Sequence, residues 1–122
     1  MSTTEGKKMA VLLDQYKNEV AAIQVVDETL GKYADFKNDF IDHVSYWGGM
    51  GSHIQTLFPD EPNLKERIDQ TIGRTGYAGD EERRRIFEPV WQRHMVAAQE
   101  TKAEAEKKLQ DTTTQLSTVA SK

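Results

Sequence analysis

The sequence predicts an all-α protein: two long antiparallel helices plus two short helices, arranged as a four-helix head with a two-helix stalk. Three observations predict it. Apolar residues recur at alternating spacings of three and four through the first and last thirds of the chain. No segment keeps a strict apolar–polar alternation and no Asn-Gly hairpin turn occurs, so there is no strand signal. Nine of the ten aromatic residues lie between Tyr33 and Trp91, Tyr16 being the exception, which places the bulky part of the core in the middle of the chain.

The first helix is expected over roughly residues 3–46. Ser2-Thr3-Thr4-Glu5 has the form of a capping box, in which a hydroxyl and a carboxylate satisfy orphan amides reciprocally. Met9, Leu13, Tyr16, Val20 and Ile23 then make an apolar stripe that Asp27 interrupts. A second phase follows through Val26, Leu30, Tyr33, Phe36, Phe40, Val44 and Trp47. A stripe that slides in this way implies a change of supercoil or a second partner helix. Gly31 stands at the change of phase, where a bend or a close helix contact is expected.

Gly48-Gly49-Met50-Gly51 ends that helix. A short helix over roughly residues 52–58, capped by Ser52, turns Ile54, Leu57 and Phe58 inward. Pro59-Asp60-Glu61-Pro62 breaks it, and Asp60 is the expected N-cap of a second short helix over roughly residues 61–72, with Leu64, Ile68 and Ile72 inside and Gly73 as its stop. Gly76 and Gly79 form a loop. Asp80 caps a last helical region over roughly residues 81–119, in which Pro89 predicts a kink or a short helix followed by a long one. Its inner line is Ile86, Val90, His94, Ala98, Thr101, Ala105, Leu109, Leu116 and Val119, mostly small residues. Large side chains on the first helix facing small ones on the last let two helices approach closely.

With 122 residues the chain fits a single helical domain, residues 1–122. An apolar fraction of 37% against 30% charged residues suits amphipathic helices and disfavours a thick three-layer core. There is no cysteine, which removes disulfides, thiolate metal sites and thiol nucleophiles together. The polar N-terminus has no signal-peptide core and no window reaches 18 uninterrupted apolar residues, so the expected location is cytoplasmic; leaderless secretion leaves the same pattern. A net charge of −4 argues against nucleic acid as the partner.

Catalysis and metal binding find little support. Asp39 and His43, four apart, share a helix face, but no Glu-x-x-His or His-Glu-x-x-His motif occurs. There is no nucleophile elbow and no phosphate-cradling Gly-rich loop, and the carboxylates fall on solvated helix faces. No enzyme activity, cofactor, metal or small-molecule substrate is therefore expected. Arg83, Arg84 and Arg85 spread around a helix and do not form one patch, although Arg93 with Lys65 or Arg67 would join them if a short helix packs nearby.

What remains is a protein-interaction surface, the partner being another protein or a second copy of the chain. Val11, Leu12, Ala22, Val25 and Val26 lie off the main stripe of the first helix and form a second apolar face. Tyr46-Trp47-Gly48-Gly49-Met50 is the most distinctive string. The candidate interaction residues are thus Val11, Leu12, Val25, Val26, Trp47 and Met50, with core packing the competing role for Trp47.

Two resemblances bear on this string. Trp47-Gly48-Gly49 is similar to the Trp-x-Gly turn of the helical-hairpin substrates of type VII secretion, which implies a two-helix hairpin. The chain departs from them in the thirty or so residues between the turn and the last helix, and in placing Tyr77 and Glu81, which have the spacing of that family's export signal, before the last helix. The stretch from Phe36 to Phe58, with Phe40, Trp47, Met50, Ile54 and Leu57, resembles helical-bundle pore-forming cytolysins of the enterotoxin and xenorhabdolysin kind. That likeness covers about a fifth of the chain and implies a membrane-active, toxin-like component as the alternative function. The long hydrophobic tongue of those proteins has no counterpart here.

Overall fold

In the computed structural model the described residues are 4–43, 46–47, 50–72, 76–77 and 79–121. Helix α1 spans Thr4–Phe36 and runs into a π-helical turn at Lys37–Ile41. Two short helices follow, α2 at Gly51–Leu57 and α3 at Leu64–Ile72, and then α4 at Asp80–Ala120. Among the described residues there is no strand, only an isolated antiparallel bridge between Tyr46 and Tyr77. The all-α class stands. The expected capping serine Ser2, and Val44, Gly48, Gly49 and Gly73, lie outside the described residues.

Two compact units divide the chain: residues 4–29 with 98–121, and Leu30–Ala97. In the first, Gln15 meets Thr112 and Asp27 meets Lys102. Rising numbers on one segment pair with falling numbers on the other, so α1 and α4 run antiparallel there. The inner line of α1 is Met9, Leu12, Tyr16, Glu19, Ile23, Val26, Leu30 and Tyr33, a spacing of three and four without a break. Leu12 is buried and Leu13 is 46% exposed. The expected slip of phase is therefore corrected. It came from assigning an inner place to Leu13, which Leu12 takes, while further along the polar Glu19 is half-buried beside Val20. Gly31 is exposed and a Cβ there would touch nothing within 4 Å, so no close contact explains it. On α4 the matching line is Ala98, Lys102, Ala105, Leu109, Thr112, Leu116 and Val119, with Lys102 in place of the expected Thr101 and the buried Thr112 completing the repeat.

Leu30–Ala97 holds the aromatic core. Phe36, Ile41, Trp47, Ile54, Phe58, Leu64, Ile68 and Phe87 are buried. The rings pack edge to face and stacked: Phe58 lies 5.2 Å from both Tyr33 and Phe36, and Trp47 lies 4.6 Å from Phe87. The regular helix ends at Phe36, ten residues earlier than expected. The π turn closes with Asp42 N–H donating to Lys37 O at 2.8 Å. One extra residue per turn brings Ile41 onto the face of Phe36, and both are buried.

The turn between α2 and α3 corrects a second expectation. α3 begins at Leu64, and Asn63 precedes it at φ 59°, a left-handed conformation that asparagine tolerates. The first α3 amide to be met, that of Lys65, donates to Gln55 Oε1 at 3.0 Å; Asp60 is not its cap. Gln55 Nε2 also donates to Phe58 O and Glu61 O, so one α2 side chain fastens the whole connection. Gly51 is buried against α3, where a Cβ would come within 3.0 Å of Lys65 Cγ. Gly76, at φ +80°, stacks its backbone on Tyr46, whose ring a Cβ would strike; any side chain is excluded there twice over.

α4 is continuous across Pro89, so of the two expected outcomes the short helix followed by a separate long one is not formed. The helix starts at Asp80 itself. Asp80 Oδ1 accepts from Arg83 Nη2 at 3.1 Å and Arg84 Nε at 3.2 Å, so this carboxylate serves side chains, while Asp80, Glu81 and Glu82 together complement the positive end of the helix dipole.

Candidate functional site

An open concavity lies in the first unit. Thr4, Lys7, Lys8, Val11 and Leu12 of α1 and Thr114, Gln115, Thr118 and Val119 of α4 surround an open groove of about 580 Å³. Val11 and Leu12 of α1 and Val119 of α4 give it an apolar part. Lysines 7 and 8 line it with their aliphatic stems and place charge at the rim. Val11 is 66% exposed at its edge. Val25, 61% exposed, lies fourteen residues further along α1, close to four helical turns and hence on the same side. Between them, Gln15, Asn18 and Ala22 continue a seam of spacing four and three beside the inner line. Two adjacent seams on one helix match a helix that packs against more than one neighbour.

The six sequence-predicted interaction residues divide. Val11 and Val25 are on this outer seam. Leu12 is buried and Val26 half-buried, both on the inner line of the helix pair, not off it. Met50 is half-buried at the start of α2. Trp47 is fully buried between Phe36, Phe40 and Phe87, so its ring presents nothing to a partner. Its Nε1–H has no hydrogen-bond acceptor among the described residues. Trp91, by contrast, donates to Tyr33 O at 2.8 Å.

A polar triangle interrupts the apolar seam. Gln15 Nε2 donates to Glu19 Oε1 at 2.9 Å and to Thr112 Oγ1 at 3.0 Å, and Thr112 Oγ1–H donates to Glu19 Oε1 at 2.9 Å. Glu19 Oε2 is buried without a partner. Polar groups at such a position fix helix register and partner number while lowering stability. Glu19→Leu is accordingly expected to raise the unfolding free energy by about 1–2 kcal/mol and to broaden the distribution of oligomeric states. Thermal melts with sedimentation check both, and a lower melting temperature would contradict the reading.

The second polar cluster was not foreseen in sequence. Glu61, in the turn before α3, is buried and its Oε1 accepts from Arg93 Nη2 at 2.6 Å and lies 3.2 Å from His94 Nε2; Arg67 Nη1 is 3.8 Å from Oε2. Burial pushes the carboxyl upward, but Arg93 and His94 outweigh it, and the net shift is below the ordinary 4.5. The His94 ring fills its remaining surroundings against Phe58, at 4.9 Å, and Tyr33. This histidine thus stands between a carboxylate and two aromatic rings. Because the folded form lowers the Glu61 pKa, the stabilisation is complete above 4.5 and is lost as pH falls through the lower folded value. Glu61→Gln is expected to cost about 2 kcal/mol at neutral pH and to flatten the acid limb of the stability profile; an unchanged acid limb in urea titrations would refute this role.

Arg83 is 2% exposed and donates through Nε to Ile41 O at 3.0 Å, tying α4 to the end of the π turn. Arg84 reaches Asp42, Asp80 and Glu88. Lys37 also holds Asp42, at 2.7 Å, and its hydrogen bond keeps that carboxyl below its usual range, with Arg84 adding to the effect. Consecutive arginines thus have separate duties, as their spacing implied. His43 and His53 are exposed, and no group of three or more potential metal ligands occurs among the described residues. Comparison with protein-family models, curated proteins and solved structures finds no match.

Proposed function

We propose that this chain is a non-enzymatic helical interaction module that associates with a second copy of itself, or with a larger helical assembly, through the outer seam of residues 4–29. The observation that carries the reading is the pair of exposed valines on one side of α1, Val11 at the edge of the apolar groove and Val25 further along the same seam. Among the described residues, four of the seven large exposed apolar side chains (Val11, Leu13, Tyr16 and Val25) belong to this one segment, and Val11 and Val25 share one side of it. Exposed apolar side chains gathered on one segment mark a candidate interaction site. A pair of helices sharing one thin line of small residues has little area to bury by itself, and covering the outer seam adds to it at about 25 cal/mol per Å². The polar triangle of Gln15, Glu19 and Thr112 fixes the register of the α1–α4 pair that carries the outer seam.

Sedimentation of the intact protein over the micromolar range tests the reading. A mass that rises with concentration supports it, and a monomer at high micromolar concentration rejects it. The toxin-like alternative draws on Lys7 and Lys8 beside the apolar groove, a pattern suited to a membrane surface. Among the described residues no helix is long and apolar enough to cross a membrane, so that activity would begin from a surface-bound state. Release of a trapped dye from anionic or neutral vesicles distinguishes it.

A further inference from the structure

We propose that two copies of this chain pair through the outer seam of α1 in antiparallel orientation, in the register that sets Lys7 of each copy beside Glu28 of the other. This pairing rests on the association read above and specifies its geometry. The seam through Val11, Asn18 and Val25 continues at the same spacing to Lys8 and Thr4 at one end and to Thr29 at the other; all but the half-buried Thr29 are exposed. Alternating steps of four and three are the repeat by which two helices interlock. In antiparallel orientation that repeat aligns Lys8 with Val25, Val11 with Ala22 and Gln15 with Asn18, each pair occurring twice about a two-fold axis. The stretch from Ala22 to Thr29 of the second copy then lies along the groove that Thr4, Lys8 and Val11 help to line. Val25 packs there on the aliphatic stem of Lys8.

Charge selects this arrangement. Lys7, Asp14, Ala21 and Glu28 recur every seven residues, are all exposed, and share the edge of the seam opposite the inner line. Neither Lys7 nor Glu28 enters an ion pair among the described residues, whereas Asp27, next to Glu28, is already held by Lys102 at 2.7 Å. In the proposed register Lys7 meets Glu28 across the interface twice, and Asp14 meets the neutral Ala21. A shift of one heptad in either direction sets Asp14 against Glu28 or against its own copy. A parallel pair in register sets Lys8 against Lys8 within the seam. Edge charges and seam charges of this kind decide orientation, because the wrong arrangement brings like charges together. The polar residues of the seam agree. Gln15 spends both Nε2 hydrogens within its own chain, on Glu19 and Thr112, which leaves Oε1 to accept from the Asn18 amide of the second copy.

Cross-linking of full-length single-cysteine chains with a short bis-maleimide tests the orientation. Val11→Cys mixed with Ala22→Cys is expected to give a linked dimer, while neither variant alone does so. In the antiparallel pair the two copies of position 11 stand about 16 Å apart along the axis. Sedimentation of charge variants reads the register. Lys7→Glu or Glu28→Lys alone is expected to weaken association about tenfold, and the two together restore the affinity of the parent. Every substituted position is exposed, and an unchanged circular dichroism spectrum confirms that the helices are kept. If the parent associates but Val11→Cys or Ala22→Cys links to itself, the antiparallel arrangement is overturned and the association reading stands. A doubly reversed variant that stays weak overturns the register in the same way. A parent that remains monomeric at high micromolar concentration overturns both.

Discussion

Trp47→Ala is expected to lower the unfolding free energy by about 4 kcal/mol, the largest loss for any single substitution considered for this chain. The indole is fully buried and is the hub of the aromatic core, 4.6 Å from Phe87, 5.4 Å from Phe40 and 6.3 Å from Phe36. Removing it opens a cavity lined by rings whose backbones come from separate helices and cannot all relax inward. Trp47→Phe should behave differently. It leaves a smaller cavity and also deletes an Nε1–H that is buried with no acceptor among the described residues. Relief of that unsatisfied donor, about 1–3 kcal/mol, offsets much of the lost packing, so a net change within about 1 kcal/mol is expected. Urea unfolding followed by circular dichroism reads both. A loss below about 1 kcal/mol for Trp47→Ala would place the core elsewhere.

The second large effect concerns association. In a symmetric pair Val11 and Val25 each appear twice, so Val11→Lys with Val25→Lys puts four charges into one interface. Each valine has most of its side chain still to bury, worth about 1 kcal/mol apiece. Their loss alone weakens association roughly 100- to 1000-fold, before repulsion between the lysines is counted. Because both positions are exposed on the single chain, the variant should retain its helical content. Sedimentation of the double variant as a monomer where the parent associates is the expected result; equal masses would exclude this face.

The helices were legible in sequence because spacing of three and four is a backbone-scale signal that survives individual exceptions. Where the reading failed, a polar residue occupied an apolar place. Glu19 sits on the inner line, and its presence made Leu13 look buried and Leu12 look free. Thr112 was passed over for the same reason, although its hydroxyl closes the triangle with Gln15 and Glu19. Glu61 and Arg83 are buried because each meets specific partners, Arg93 and His94 for the one and Ile41 O for the other, brought together from more than thirty residues away in sequence. No local pattern encodes such pairings. Asp60 failed from the opposite cause: a strong local preference predicted a cap, and Gln55 of α2 meets the Lys65 amide instead. The aromatic clustering between Tyr33 and Trp91 predicted the core well, since ring burial dominates wherever rings are concentrated.

Single cysteines test the association surface most directly, since the chain has none of its own. Val25→Cys and Glu104→Cys, both at exposed positions, are labelled with a thiol reagent at increasing protein concentration. Slower labelling of Cys at position 25 as concentration rises, with position 104 unaffected, is the predicted outcome. Labelling at position 25 that stays fast at every concentration would contradict the account.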